Sequence, residues 1–275
     1  MPNQKTDFMN IMRIFKNILT ATALVFMAAG LSSCYFRLSD DAKKQFKYDL
    51  RYQVSDLGGK IDTVTYNVGE FHSIDVAIIL NDMIFVQTED EFKVEVIAYD
   101  SLIDSIRTTN DNGLLRINNG KYNSRIQGMT QVRVYAPAIS RITNRGAGCL
   151  RISGYNGDSL RIETVGSGNI KAFNLNITGR LSVLGTGSGD HEFRHITTGE
   201  MVIDKKGSGD GEYNDLNIGT LSVTSTGSGD ATLSGKAESV TFSKTGSGNI
   251  DASELKAKNV STQRNSGSGD ITINQ

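Results

Sequence analysis

Short runs of alternating apolar and polar residues fill the chain from residue 160 to residue 273, and a glycine-rich motif separates the runs. In "LSVTSTGSGDATL", Leu221 and Val223 precede the motif, and Ala231 and Leu233 follow it. A period of two is typical of β-strands, whose successive side chains point to opposite faces. In most pairs after the motif one residue is small and the other large, as fitting a fixed cross-section requires. A third apolar position recurs at Leu175, Ile196, Leu216 and Leu255.

The glycine-rich motif repeats at a nearly constant interval. Gly-Ser-Gly begins at Gly166, Gly187, Gly207, Gly227, Gly246 and Gly267, with steps of 21, 20, 20, 19 and 21 residues, and Asn or Asp follows each time. We therefore expect a turn at every motif, in which Gly supplies a positive φ and Asn or Asp bonds the backbone. The expected turn residues are Gly166, Gly168, Asn169, Gly187, Gly189, Asp190, Gly207, Gly209, Asp210, Gly227, Gly229, Asp230, Gly246, Gly248, Asn249, Gly267, Gly269 and Asp270.

Twenty residues are too few for a helix crossover and two strands, but they suffice for one flattened coil of short strands. A β-propeller blade needs about 40 residues. The repeat therefore predicts an all-β protein in which residues 141–275 form a β-solenoid with coils of about 20 residues. Residues 60–140 also alternate, less regularly, and form either a separate β module or coils continuous with the solenoid; the second is favoured. Within them, "DSLIDSI" predicts one or two helical turns, and "NDNG" a turn.

The first 33 residues have the pattern of a targeting segment. Basic residues precede the uncharged stretch "ILTATALVFMAAG", which has the length of a signal peptide. "LSSC" then resembles the lipobox of bacterial lipoproteins, which makes Cys34 the expected lipidation site and residues 34–59 a tether. The alternative is an ordinary secretory signal in which Cys34 is incidental.

Composition narrows the classes of function. The formal net charge is −1 without a long basic run, which argues against a nucleic-acid partner. Cys149 is the only other cysteine, so no disulfide within the chain remains once Cys34 is lipidated. We expect Cys149 to be a buried structural thiol.

Glycine with aspartate also occurs in ligand-binding loops. Nucleotide loops need a long helix after the glycines, which is missing here. Calcium-binding β-rolls repeat every nine residues, and their Asp lies one position later. A structural turn is therefore favoured, and no cofactor is expected. Asp190, Asp210 and Asp230 are the candidates for a row of divalent ions, and Lys205, Lys206 and Lys244 are candidates for offsetting their charge.

Some β-helices are polysaccharide lyases or hydrolases, so acid and base residues on one face are of interest. The candidates are Asp190, Arg194 and His195, or Asp210 with Glu212. His191 takes an inward position of the repeat, which favours a place in the core or at its rim. His72 has no histidine neighbour. We expect no catalytic residue.

Several segments together resemble a known family. "FHSIDVAIIL", "FKVEVIAYDSLIDSIRT", "QVRVYAPAISRITNRGAG" and the repeated "GSGNI" are similar to the head GIN domain, a proposed auto-transporter adhesin domain. The resemblance covers about residues 61–275. It implies a right-handed parallel β-helix on a secreted or lipid-anchored bacterial protein, and it supplies no catalytic residues.

These observations predict a non-catalytic envelope lipoprotein, an adhesin or an interaction scaffold. The alternative is a carbohydrate-active β-helix enzyme or a glycan-binding protein. The expected location is the outer membrane, on either its periplasmic or its outer face. A glycan or protein ligand is expected, and the open edge of the last coil could pair with a second copy.

Overall fold

The computed structural model describes residues 60–78, 81–118 and 130–273. The expected signal segment at residues 1–33, the lipidation site Cys34 and the tether at residues 34–59 lie outside these ranges. Within them, no helix is long and apolar enough to cross a membrane.

The described chain is almost entirely β-structure. Its strands are β1 (Ile61–Asn67), β2 (Ser73–Ala77), β3 (Asp82–Gln87), β4 (Lys93–Tyr99), β5 (Arg107–Asp111), β6 (Leu114–Asn118), β7 (Thr130–Ala136), β8 (Arg141–Asn144), β9 (Cys149–Ser153), β10 (Asn156–Gly166), β11 (Ile170–Gly187), β12 (His191–Gly207), β13 (Gly211–Gly227), β14 (Ala231–Gly246), β15 (Ile250–Ser266) and β16 (Ile271–Ile273). One short helix, α1 (Asp100–Ile103), follows β4.

From β10 onward, each strand pairs in parallel with the next one along the chain. Gly187 pairs with Gly207, and Gly207 with Gly227, so one coil takes 20 residues. The predicted β-solenoid is confirmed. Each of the strands β11 to β15 is long because it bends around most of one coil.

The core runs along the inside of the stacked coils. Side chains at the alternating positions, such as Leu221 and Val223, are buried, and so is the third apolar position. Phe193 and Tyr213 stack there with ring centroids 5.5 Å apart. The last coil differs, since Val260 is only partly buried and Thr262 is exposed at the position that Phe242 fills one coil earlier. The core thus becomes smaller and more polar toward the final coil.

The region before the repeats is hydrogen-bonded to the solenoid. Strands β2 and β3 pair in parallel with β8 and β9, and β6 and β7 pair in parallel with β2 and β3. The stack ends in antiparallel strands: β4 pairs with β7, β1 pairs with β4, and β5 pairs with β6. One sheet therefore continues from this region into the regular coils.

Two local features of this region match their sequence patterns. Helix α1 forms one turn within "DSLIDSI". Asn112 and Gly113 have φ values of 50° and 82° in the turn that joins the antiparallel strands β5 and β6. Positive φ at both central positions suits the right-handed twist of a hairpin.

Candidate functional site

The Gly-Ser-Gly-Asx motifs form one corner of the solenoid, stacked coil upon coil; we call it the Asx corner. Its residues lie at the junctions of consecutive strands: Gly166, Gly168 and Asn169 between β10 and β11; Gly187, Gly189 and Asp190 between β11 and β12; Gly207, Gly209 and Asp210 between β12 and β13; Gly227, Gly229 and Asp230 between β13 and β14; Gly246, Gly248 and Asn249 between β14 and β15; Gly267, Gly269 and Asp270 between β15 and β16.

Both glycines of the motif are required by the backbone. The first glycine has a φ between 106° and 133° in all six motifs, a region that L side chains rarely adopt. The third residue is confined by close stacking. At Gly229, an added Cβ would lie 2.7 Å from the carbonyl carbon of Gly209 on the preceding coil. The corner therefore admits no side chain at either position without a backbone shift.

The Asx side chains connect neighbouring coils. Oδ1 of Asp190 accepts a hydrogen bond from the backbone N–H of Asp210 at 2.9 Å, and Oδ1 of Asp230 accepts one from Asn249 at 2.7 Å. The Asp230 carbonyl in turn accepts from the backbone N–H of Gly211 on the coil before, at 2.9 Å. The Asx residues from Asn169 to Asn249 are each bonded to both neighbouring coils, a more specific role than the local turn that the sequence predicts.

A buried lysine lies behind the row of aspartates. Lys205 is only 5% exposed, and its ammonium group donates to the carbonyl oxygen of Gly209 within the Asx corner. Burial lowers the pKa of Lys205, and the nearby carboxylates of Asp210, Asp190 and Asp230 oppose that effect. The chain thus places a cation of its own beneath the acidic row, which reduces the repulsion that a metal ion would otherwise have to offset.

A second buried lysine occupies the same inward column two coils later. Lys244 is 1% exposed and donates to the carbonyl oxygen of Gly246 at 3.0 Å. Lys206, by contrast, points outward and pairs with Asp204 at 2.8 Å. Of the three lysines considered beside the acidic row, the structure turns two inward. The period-two pattern in the sequence already indicates the inward position of Lys205, because Met201, Ile203 and Lys205 are alternate residues of the same strand.

His191 is a buried, neutral core residue. Its Nδ1 lies 3.0 Å from the Tyr213 hydroxyl, and its Nε2 lies 3.5 Å from the Thr164 hydroxyl. Burial, with a smaller contribution from Lys205, lowers the pKa of His191 to about 4. The ring fits because Gly185 leaves room above it. His191 therefore fills the core, and its ring is not available to an external ligand.

A second corner follows the Asx corner by five residues, and the repeat pattern does not predict it. Asn174, His195 and Asp215 have φ values of 56°, 58° and 54° in successive coils. Asn, His and Asp are the residues that tolerate this left-handed region best after glycine. The signal in the sequence is their recurrence five residues after Asn169, Asp190 and Asp210.

The candidates for carbohydrate chemistry divide between the two corners. Asp190 lies at the Asx corner, and His195 lies at the second corner. The four residues between them are extended chain of about 13 Å. His195 Nδ1 instead lies 3.4 Å from Asp215. The two proposed sets touch at two points: Asp190 accepts a hydrogen bond from the Asp210 N–H at 2.9 Å, and Arg194 contacts Glu212 at 3.5 Å.

Metal ligands do not converge in the described ranges. No group of three or more His, Cys, Asp or Glu side chains there is arranged to hold an ion. His72, the remaining histidine, is exposed and lies 3.0 Å from the Ser73 hydroxyl. Cys149 is a free thiol and is half-buried, more exposed than the buried thiol expected from the sequence. Cys149 pairs with Asp82 and directly precedes the inward-facing Leu150. Because side chains alternate along β9, the thiol of Cys149 points to the outer side of the strand.

A single sheet wound into parallel coils, with stacked glycine and Asx residues at one corner, defines the class of β-solenoid proteins. The chain belongs to the family described as "Putative auto-transporter adhesin, head GIN domain", whose model matches residues 70–210 and 180–275. The family predicted from sequence is confirmed. A search of functionally curated proteins gives no match.

Solved structures show the same fold. A "putative adhesin" from Bacteroides fragilis is 24% identical, with a TM-score of 0.66, and the alignment covers 78% of this chain and 97% of that one. A "putative adhesin" from Parabacteroides distasonis is 18% identical, with a TM-score of 0.58 and coverage of 78% and 98%. At these identities the likeness establishes the fold, and it carries no residue roles.

Proposed function

We propose that this chain is a non-catalytic envelope lipoprotein that binds a partner through the outward faces of its solenoid, as an adhesin or an interaction scaffold. The observation that carries the proposal is the continuous parallel ladder from β10 to β16, which holds outward side chains in fixed rows. Such a surface suits extended partners, because many weak contacts add up along its length.

The charges on these faces are largely paired within the protein. Lys171 contacts Glu192 at 2.7 Å, and Arg151 contacts Asp82 at 2.7 Å, each on a neighbouring strand. Paired surface charges contribute little to stability. They do, however, fix the positions of these side chains on the described strands. A recognition surface of ordered polar side chains fits this arrangement better than an active site does.

Lipidation of Cys34 belongs to the same proposal and rests on the "LSSC" pattern. A lipid anchor would place many copies on one membrane, where avidity compensates for weak single contacts. The proposed location is the outer membrane. A Cys34→Ser variant should appear in the soluble fraction of lysed cells, whereas unchanged retention in membranes would contradict the anchor.

Self-association through the last coil is proposed only as a weak contact. Among the described residues, β15 pairs with β16 only at Ile250–Ala252, so the remainder of its outer edge has no strand partner there. Lys256 and Arg264 add positive charges to β15, a device that limits pairing between identical edges, whereas Lys258 pairs with Glu238 at 2.6 Å. Light scattering should show mass rising with concentration; a constant monomer mass would contradict the contact.

Adhesion is tested by binding and turnover measured side by side. The full chain, purified in detergent, is incubated with immobilised glycans and with extracellular-matrix proteins. Saturable binding without release of shorter sugars supports the proposal. Release of sugar products would support the carbohydrate-active enzyme instead, provided that Asp190→Ala or Asp210→Ala removes it. Absence of binding to every surface would overturn adhesion.

A further inference from the structure

One outward face of the solenoid changes character along its length. We call it face A: the outward side of residues 180–187, 200–207, 220–227 and 239–246, the strand segments that lead into the Asx corner. Over β13 and β14 it consists of four cross-strand pairs, all of them hydroxyl residues: Thr220 with Ser239, Ser222 with Thr241, Thr224 with Ser243, and Thr226 with Thr245. No charged side chain interrupts these two rows.

Most of these hydroxyl groups have no hydrogen-bond partner among the residues that the structure describes. Ser239 accepts from Asn259 at 3.4 Å, and Thr245 accepts from Ser266 at 3.4 Å. The other six make no hydrogen bond to any described residue: Thr220, Ser222, Thr224, Thr226, Thr241 and Ser243. Each hydroxyl offers one donor and two acceptor sites. The patch therefore presents a dense set of unused donors and acceptors held in place by a rigid sheet.

The earlier coils show that face A is not hydroxyl-rich throughout. On β10 and β11 the same columns carry Arg161, Glu163 and Arg180, and the Arg161 Nε lies 2.6 Å from Glu163. On β12 they carry Asp204 and Lys206, which pair at 2.8 Å. The uncharged patch begins at β13, so it is a local feature of the surface and not a general property of the coil.

The charges that border the patch identify the kind of partner. Asp210 and Asp230 lie in the adjoining Asx corner, and one carboxylate oxygen of each bonds a neighbouring coil. On the coils to either side, Arg264 lies opposite Ser243, and Asp204 pairs with Lys206. The charges around the patch are therefore of both signs, and the patch offers no net attraction to a charged polymer. A neutral chain rich in hydroxyl groups needs no such attraction, and its hydroxyls can both donate to and accept from the patch.

We propose that face A over β13 and β14 is the docking surface for a neutral polysaccharide. This proposal rests on the adhesive function proposed above and adds the location and the chemical class of the ligand. Strand neighbours lie about 4.8 Å apart and alternate residues about 6.6 Å apart. An extended sugar chain can therefore contact several hydroxyls at once, and the affinity comes from their number, since a single neutral hydrogen bond contributes little net free energy in water.

The test uses the full chain in detergent and three variants. Thr224→Val and Thr241→Val, combined, remove two central hydroxyls while keeping size and strand propensity. Thr232→Val is the control, because Thr232 is an exposed residue of β14 outside face A. Thr224→Arg adds a bulky charge to the patch. Thermal melts establish that all variants are folded before binding to cellulose, mannan, β-1,3-glucan and the anionic polymer alginate is measured.

The proposal predicts binding of the wild-type chain to at least one neutral polysaccharide. The double variant should then lose about tenfold or more in affinity, equivalent to about 1.4 kcal/mol. Thr224→Arg should lose as much or more, and Thr232→Val should bind like wild type. Binding that the double variant retains in full would overturn the assignment of face A while leaving adhesion intact. Binding to alginate or to proteins alone would overturn the ligand class, and binding to no surface would overturn adhesion itself.

Discussion

The carboxylate of Asp210 accepts a hydrogen bond from the backbone N–H of Asp230, 2.9 Å away on the next coil. The same contact recurs with Asn249 as acceptor and Asp270 as donor, at 2.9 Å. An acceptor oxygen is the shared requirement, and a negative charge is not. This explains why both Asn and Asp occur at this position of the motif, and it assigns the motif to coil stacking.

Replacing Asp210 therefore separates the acceptor from the charge. Asp210→Ala should lower the free energy of unfolding by about 1 kcal/mol, because the N–H of Asp230 loses its partner but can still meet water at this exposed corner. Asp210→Asn keeps the acceptor and should stay within about 0.5 kcal/mol of wild type. Urea denaturation measures both, and equal losses in the two variants would contradict the proposed role of the oxygen.

The close stacking of glycines predicts a larger effect. In Gly229→Ala the new Cβ would lie 2.7 Å from the carbonyl carbon of Gly209 and 2.5 Å from the Lys205 ammonium nitrogen. The coils must separate locally, so we expect a loss of about 2–3 kcal/mol. Ser228→Ala, at the exposed position between the glycines, is the matched control and should change stability by less than about 0.5 kcal/mol. A thermal melt in which both variants behave alike would refute the stacking argument.

Side-chain size is balanced inside each coil. A Cβ on Gly211 would lie 2.6 Å from the Tyr213 ring, so Gly211→Ala should destabilise the fold by about 1–3 kcal/mol. The next coil uses Ala231 with Leu233 at the paired positions. The double variant Gly211→Ala with Tyr213→Leu should therefore recover part of the loss suffered by Gly211→Ala. A double-mutant cycle measures the coupling, and strictly additive effects would exclude it.

The buried His191 predicts a specific sensitivity to acid. Its pKa is lowered to about 4 by burial and by Lys205, whereas an unfolded chain titrates its histidines near pH 6.5. The unfolded state thus binds a proton first, and stability is lost as the pH falls from about 6.5 toward 4. The loss reaches roughly 3 kcal/mol.

Comparing wild type with His191→Gln isolates this contribution from the carboxylates, which titrate in both proteins. Urea denaturation at several pH values between 7.5 and 4.5 should show a steeper decline for wild type. Thr232→Val, at an exposed position that carries no titratable group, is the control and should show the same dependence on pH as wild type. Parallel curves for wild type and His191→Gln would contradict the buried, neutral state of this ring.

The regular coils could be predicted from the sequence because their determinants are local. Leu221 and Val223 alternate with polar residues, and Gly227 follows at a fixed interval, so strand, core face and corner all emerge within one repeat. The contact between Asp210 and Asp230 could not be predicted in the same way, since it depends on the register between coils. That register is visible only once the stacking of the backbone is known.

Other features depend on contacts that are distant in sequence. Strands β1 and β4 pair antiparallel at the end of the stack, and no turn motif joins them directly. The left-handed backbone at His195 has no glycine to mark it, and the sequence indicates this histidine only as a candidate base. The burial of Lys244 also contradicts the usual exposure of lysine, and only its place in the period-two column indicates it.

The central claim is that the Asx corner holds coils together and needs no metal ion. The most direct test is the melting temperature of the full chain in detergent, measured in calcium, in magnesium and after treatment with a chelator. Because Lys205 supplies a cation beneath Asp190, Asp210 and Asp230, the melting temperature should be the same in all three conditions. A rise in calcium that the chelator reverses, and that Asp210→Asn removes, would contradict this account and show that the acidic row is an ion site.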